Sequence, residues 1–100
     1  MERLKCFLKR PDSGWYATNC STSLGNLQRI VGGNIETVTF PDLGVVVICN
    51  EEGRLLGLPY CCTIRGVSFV GDIMVYGIDG ENLADVPHKL REWKELINGN

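Results

Sequence analysis

The feature that most constrains the fold is an unbroken apolar run near the middle of the chain, Val45-Val46-Val47-Ile48-Cys49. Four of its five residues are β-branched, and β-branched residues favour extended backbone over helix. A short run without a polar position is typical of a strand that is buried on both faces. The sequence therefore predicts the central strand at 45–49 and predicts that this strand is the best buried.

The N-terminal segment predicts a β-hairpin. Leu4, Cys6 and Leu8 alternate with mostly charged neighbours, which is the period of a half-buried strand over residues 3–9. The run Pro-Asp-Ser-Gly at 11–14 is strong turn chemistry. A short return strand is expected at 15–18.

Further strands follow from β-rich runs between turn residues. We expect strands at 35–40, 67–70 and 73–76, and a strand that begins at Arg54-Leu55-Leu56. Turns are expected at 41–44, at 50–53 with Gly53 in a positive-φ conformation, and at 77–80. Residues 60–66 carry no clear pattern.

Two helices are expected to pack on this sheet. Serines and a threonine can cap a helix over residues 22–32, which Gly32-Gly33 would end. Asp85 is expected to cap a final helix with Pro87 in its first turn and Gly99 just past its end. The apolar stripe of that helix is Leu90, Trp93, Leu96 and Ile97. These elements predict an α+β fold, a small antiparallel-rich sheet packed against two helices in a single domain over 1–100.

Composition narrows the function. The chain has 100 residues, 44% of them apolar, and a formal charge of −2, and its longest cationic run is Lys9-Arg10. A protein that binds a nucleic acid polymer through its phosphates needs a basic face, so we expect no such partner. Five cysteines without regular spacing argue against a disulfide framework. With no leader pattern and no membrane-length apolar stretch, a cytoplasmic location without membrane contact is expected.

No catalytic or metal-binding pattern stands out. His88 is the single histidine, and without an orienting partner we expect it to be an exposed helix residue. Cys6 and Cys49 lie in strand patterns and are expected to pack as small hydrophobes. Cys61 and Cys62 follow a loop and are expected to be exposed, but adjacent cysteines do not match a zinc motif. We therefore expect no metal, no cofactor and no enzymatic activity.

The best candidate surface is the segment from Asn50 to Arg65. It holds Arg54, Tyr60 and Arg65 among turn residues. Arginine grips phosphate and tyrosine stacks on a base, so Asn50, Arg54, Tyr60 and Arg65 are the predicted ligand-binding residues. The alternative is that both arginines are ordinary solvated strand residues. In that case Trp15, Tyr16 and Arg10 are the next candidates.

The run from Ile48 to Pro59, which reads ICNEEGRLLGLP, resembles the signature of a family of small proteins of phages, plasmids and other mobile elements. The flanking segments at 31–36 and 70–77 resemble that family as well, and the resemblance extends over about residues 24–86. The family places Asn-Arg soon after the Leu-Pro, where this chain has Tyr60-Cys61-Cys62. Arg65 is the nearest substitute. The resemblance implies origin and fold, and it implies no activity.

Two functions are compatible with these observations. The first is a phage-encoded, non-catalytic protein that sequesters a small anionic, nucleotide-derived immune signal of the host. The second is a protein-interaction module that inhibits or bridges a host or phage protein through its last helix or a sheet edge. Because a thin sheet with free edges is a liability for a monomer, we also expect a homo-oligomer, with any ligand site near the subunit boundary.

Overall fold

The structure, a computed structural model, describes residues 3–98. The secondary-structure elements in this range are, in chain order, β1 (Arg3–Lys9), β2 (Tyr16–Ser21), α1 (Leu24–Val31), β3 (Ile35–Phe40), β4 (Val45–Asn50), β5 (Tyr60–Ile64), β6 (Val67–Val70), β7 (Ile73–Asp79), β8 (Asn82–Ala84) and α2 (Leu90–Asn98). The α+β prediction is confirmed.

The main sheet is antiparallel throughout and has the strand order β2-β1-β7-β4-β3. β8 pairs with the C-terminal part of β7, where Ile78 lies opposite Leu83. β5 and β6 form a separate two-stranded hairpin. The strand in the middle is therefore β7, and β4 lies beside it, which corrects the prediction that residues 45–49 are central.

The sheet is covered on both faces, so the protein has three layers. One face carries Phe7, Val47 and Val75, which pack with residues of the β5–β6 hairpin and of α2. The other face carries Leu8, Val46, Ile48, Met74 and Tyr76, which pack with α1. All six residues of β4 are buried, which confirms the predicted burial of the apolar run 45–49. Successive side chains enter opposite cores, so no polar alternation is needed.

Helix α1 has the caps that its sequence predicts. The Ser23 hydroxyl accepts a hydrogen bond from the Asn26 amide at 3.3 Å. Gly32 takes a left-handed conformation with φ of 82° and ends the helix. Leu27 and Val31 are the buried positions of its inner face.

Helix α2 begins later than predicted. Asp85 does not cap it: its Oδ1 accepts the backbone N–H of Lys5 at 2.8 Å instead. The helix is capped by Glu92, which accepts the N–H of Lys89 at 3.1 Å. The apolar stripe is confirmed, and Trp93 is fully buried. The centroid of its ring lies 5.7 Å from that of the Phe7 ring and 5.5 Å from that of the Trp15 ring. The position of Gly99 falls outside the described residues.

Three local predictions are corrected. Residues 54–56 form turns, because the chain between β4 and β5 makes a series of reversals closed by bonds such as that from the Leu58 N–H to the Gly53 carbonyl. Gly53 does not have a positive φ, whereas Gly57 does. Residues 77–79 continue β7, and the short strand β8 was not foreseen. Gly77 is required there, because a side chain would collide with the Asp85 carbonyl that crosses it.

The two-sided burial of β4 gives the first prediction. Val47 is fully buried between β3 and β7, so Val47→Asp places an unpaired charge in the core and costs several kcal/mol. Since small domains are stable by about 5–15 kcal/mol, this variant should be largely unfolded. Thermal denaturation followed by circular dichroism measures it. The matched control is Thr37→Asp at an exposed position of β3, which should melt close to the wild type. Equal melting of the two variants would contradict the register.

Candidate functional site

The structure brings two of the four sequence-predicted site residues together. Asn50 and Arg54 line a small pocket of about 180 Å³ between β3, β4 and β6. Arg54 donates from Nη2 to the carbonyl of Ser68 at 2.7 Å. The same pocket is lined by the carboxylates of Glu36 and Glu51, so its charge does not favour an anion.

Both polar atoms of the Asn50 side chain form hydrogen bonds inside the protein. It is 7% exposed. Its Nδ2 donates to the Val31 carbonyl at 3.1 Å, and its Oδ1 accepts the Glu52 N–H at 2.8 Å. One side chain thus ties the end of α1 to the turn after β4. These bonds show a structural role for Asn50.

Tyr60 and Arg65 lie away from this pocket. The Tyr60 hydroxyl is on the exposed side of the β5–β6 hairpin and shares a hydrogen bond of 2.7 Å with Thr63 Oγ1. Arg65 occupies the hairpin tip with φ of 48°. Its Nε donates to Asp42 Oδ2 at 2.8 Å, and its Nη1 donates to the Leu96 carbonyl at 3.5 Å. Hydrogen bonding from Arg65 lowers the pKa of the Asp42 carboxyl. Arg65 thus joins the hairpin to the β3–β4 turn and to α2.

A second concavity has the charge and size that the first lacks. A cleft of about 840 Å³ lies between α1 and the β1–β2 hairpin. Its described lining contains three arginines, Arg3, Arg10 and Arg29, against one carboxylate, Asp72. We call it the arginine cleft. Three cations and one anion give it a formal charge of +2 in a chain whose total is −2.

Each arginine of the cleft has a hydrogen-bond or ion-pair partner within the protein. Arg3 donates from Nη2 to the Asn19 carbonyl at 3.4 Å. Arg29 donates to Asn26 Oδ1, and the Nδ2 of Asn26 in turn donates to the Ser21 carbonyl at 2.9 Å. Arg10 forms an ion pair with Asp72, with 3.5 Å between Nε and Oδ2.

Sequence reasoning missed most of this cleft. Its cations lie on three separate segments, so no run of the sequence contains more than one of them. Arg10 was a candidate of second rank, whereas Arg3 and Arg29 were not considered. The available signal was that arginines flank both ends of β1 and that α1 follows directly after β2. Using it required knowing that α1 packs on the face of the sheet that carries Leu8 and Cys20.

The cysteines that the sequence analysis considered lie in the protein interior. Cys61 and Cys62 are buried, at 4% and 9% exposure, which corrects the expectation that they are exposed. A hydrogen bond from Cys62 lowers the pKa of Cys61, and the same bond together with burial raises that of Cys62. Burial raises the pKa of Cys49 to about 11, so this thiol stays protonated at neutral pH.

His88 is not an exposed helix residue. It is half-buried before α2 begins, and its Nε2 lies 2.7 Å from the Leu43 carbonyl. Its ring packs beside that of Trp93, with 6.0 Å between centroids. Within residues 3–98 no group of three or more His, Cys, Asp or Glu is placed to hold a metal ion. In the same range no helix is long and apolar enough to cross a membrane.

The bonds of Asn50 give a second prediction. Asn50→Ala leaves the Val31 carbonyl and the Glu52 N–H without their partner and should lower the free energy of unfolding by about 1–3 kcal/mol. Chemical denaturation measures this loss. Asn82→Ala at an exposed position of β8 is the control and should change stability by less than about 0.5 kcal/mol. If Asn50→Ala is as stable as the control and instead impairs ligand binding, Asn50 is a ligand contact.

Comparison with known proteins places the chain in a family. A family model described as a domain of unknown function (DUF3846) matches residues 4–98. This range is wider than the 24–86 over which the sequence motifs suggested a resemblance. No curated protein and no solved structure matches the chain. The match covers both helices, all the described strands except for Arg3 of β1, and the arginine cleft apart from that residue. The chain therefore belongs to the DUF3846 family, a domain of unknown function.

Proposed function

We propose that this protein is a non-catalytic binding protein for a small anionic, nucleotide-derived ligand, and that the ligand occupies the arginine cleft. The single observation that carries the proposal is the arrangement of Arg3, Arg10 and Arg29 around one concavity that holds a single carboxylate. Guanidinium groups bind phosphate through paired, charge-assisted hydrogen bonds.

Size supports the arginine cleft over the pocket beside Arg54. Small-molecule sites have volumes of about 300–1,000 Å³. The cleft, at about 840 Å³, lies in this range, and the Arg54 pocket, at about 180 Å³, lies below it. The carboxylates of Glu36 and Glu51 in the smaller pocket would also repel phosphate.

The cleft offers apolar as well as cationic surface. Leu8, Cys20 and Ile30 are buried or half-buried residues of its lining. An apolar floor suits the face of a planar base, while cations at the sides suit its phosphate. The combination favours a nucleotide over an inorganic anion.

The biological role that we propose is sequestration of a host immune signal in the host cytoplasm by a phage-encoded protein. What supports it is the resemblance of the 48–59 run to proteins of phages and mobile elements, which is an argument by analogy. A binder that holds its ligand without changing it needs only affinity. The outer edges of β2 and β3 are unpaired among the described strands, which supports the further proposal of a homo-oligomer.

A protein-interaction module remains the second candidate, and one observation favours it. Leu55 and Leu56, in the turns after β4, are 86% and 60% exposed. Adjacent exposed leucines at one turn are typical of a contact surface for another protein. If no nucleotide binds, replacing both leucines by serine should abolish capture of a protein partner without lowering the melting temperature.

The third prediction tests the proposed function. A panel of nucleotides and nucleotide-derived signalling molecules is added to the protein, and the melting temperature is measured. A ligand at 100 times its dissociation constant stabilises the folded state by about 2.7 kcal/mol, which is readily detected. Arg3→Ala and Arg29→Ala should each weaken binding by about 1.5–3 kcal/mol, the scale of a hydrogen bond to a charged group.

Matched arginine variants locate the site. Arg91→Ala on the exposed side of α2 should bind as the wild type does, and Arg54→Ala should do the same. Loss of binding in Arg54→Ala with full binding in Arg3→Ala and Arg29→Ala would move the site to the smaller pocket. The bound ligand, released by heating, should be recovered intact. Recovery of an altered ligand would show an enzyme.

A further inference from the structure

The arginine cleft is different at its two ends, and this inference rests on the proposed function of that cleft. Arg3 and Arg29 lie at one end, which we call the two-arginine end. Arg10 and Asp72 lie at the other, which we call the ion-pair end. The strand register and the hydrogen bonds of these four residues fix their relative positions.

Hydrogen bonds connect Arg3 and Arg29 to the same stretch of β2. Arg3 bonds to the carbonyl of Asn19, and Asn26, the partner of Arg29, bonds to the carbonyl of Ser21. Asn19 and Ser21 are two residues apart on β2, and adjacent same-face positions of a strand are about 7 Å apart. The hydrogen bonds of both arginines therefore lead to neighbouring positions of one strand.

The ion-pair end lies well away from this point. Asn19 is opposite Lys5 in the register, and Asp72 directly precedes Ile73, which is opposite Lys9. At least four residues of the chain therefore separate the level of the Asn19 carbonyl that binds Arg3 from that of the Arg10–Asp72 pair. At about 3.3 Å per residue this is about 13 Å, which is too far for one phosphate to contact both ends.

The two ends differ in charge. No carboxylate lies at the described two-arginine end, so two positive charges face the cleft there. At the ion-pair end the Asp72 carboxylate balances Arg10, and its side chain is 36% exposed. A carboxylate accepts hydrogen bonds from neutral donors such as a ribose hydroxyl or a base amine, and it repels phosphate.

The geometry points to a ligand with a single terminal phosphomonoester and an otherwise neutral nucleoside part. The phosphate, which carries up to two charges and three free oxygens, lies between Arg3 and Arg29. The nucleoside lies along Leu8 and Ile30 and reaches Asp72 with a hydroxyl or amine. A cyclic phosphodiester fits this cleft less well, because it has one charge and no terminal phosphate. A ligand with a phosphate at each end meets the Asp72 carboxylate.

Isothermal titration with three sets of probes tests this orientation. The probes are the four ribonucleoside 5′-monophosphates, their 3′,5′-cyclic forms and the free nucleosides. The best 5′-monophosphate should bind at least ten times more tightly than its cyclic form and its nucleoside. Arg3→Ala and Arg29→Ala should each lower its affinity at least tenfold and remove most of the difference between the monophosphate and the cyclic form.

Asp72 provides the second arm of the test. In the wild type a nucleoside 3′,5′-bisphosphate should bind more weakly than the 5′-monophosphate. Asp72→Asn removes the repulsion and should reverse this order, whereas Asp79→Asn, at the exposed end of β7, should preserve it. Melting temperatures of all variants confirm that they are folded.

The outcomes separate this inference from the proposed function. Cyclic nucleotides that bind as tightly as the monophosphates, with the same loss in Arg3→Ala, would overturn the terminal-phosphate inference and leave the proposed function standing. Binding of the bisphosphate that Asp72→Asn does not improve would overturn the orientation. If no probe binds, both this inference and the proposed function fail.

Discussion

The structure depends on burying β4 and β7 on both faces at once. Neither strand has a solvent face over the length where the two are paired with each other, with Val47 opposite Val75 and Ile48 opposite Met74. A sheet of this kind must be covered by two further layers. In a chain of 100 residues these layers are small, a two-stranded hairpin with α2 on one side and a single short helix on the other.

The small size of the second layer explains why a cleft exists. α1 has eight residues and packs against β3 and β4. It is too narrow to cover the whole face, so the part formed by β1 and β2 stays partly open beside it. The lining there consists of apolar residues such as Leu8 and Cys20 together with polar residues. The same covering that stabilises the centre of the sheet thus leaves a groove near its β2 edge, and the arginines line this groove.

The hydrogen bonds of Asn50 connect these two features. Asn50 is a buried polar residue of the sheet, and its side chain bonds the C-terminal end of α1 to the end of β4. The position of α1, and with it the position of Arg29, depends on that contact. Asn50 was predicted as a ligand contact because it opens the segment that holds Arg54, Tyr60 and Arg65. Its two hydrogen bonds to the backbone give it an architectural role.

The sequence predicted the elements whose signals are local. Burial of 45–49, the hairpin at the N-terminus, the caps of α1 and the apolar stripe around Trp93 all follow from the order of neighbouring residues. It did not predict where Asp85 would find its partner, because the Lys5 N–H is 80 positions away.

The arginine cleft was not predicted from the sequence for the same reason. Arg54, Tyr60 and Arg65 are close in sequence, but Arg65 at the tip of the β5–β6 hairpin bonds to Asp42, whereas Arg54 in the turns after β4 bonds to Ser68. Arg3, Arg10 and Arg29 are far apart in sequence, and only the strand register brings them to one cleft. A prediction based on neighbouring residues favours the first group over the second.

The proposed anion site is the arginine cleft and not the segment from Asn50 to Arg65. Titration of ¹⁵N-labelled protein with 5′-mononucleotides, followed by two-dimensional NMR, distinguishes the two. Amide shifts should change first at Asn19, Ser21 and Asn26, with little change at Gly53, Ser68 and Arg65. Shift changes confined to the second group, or spread evenly over the surface, would contradict it.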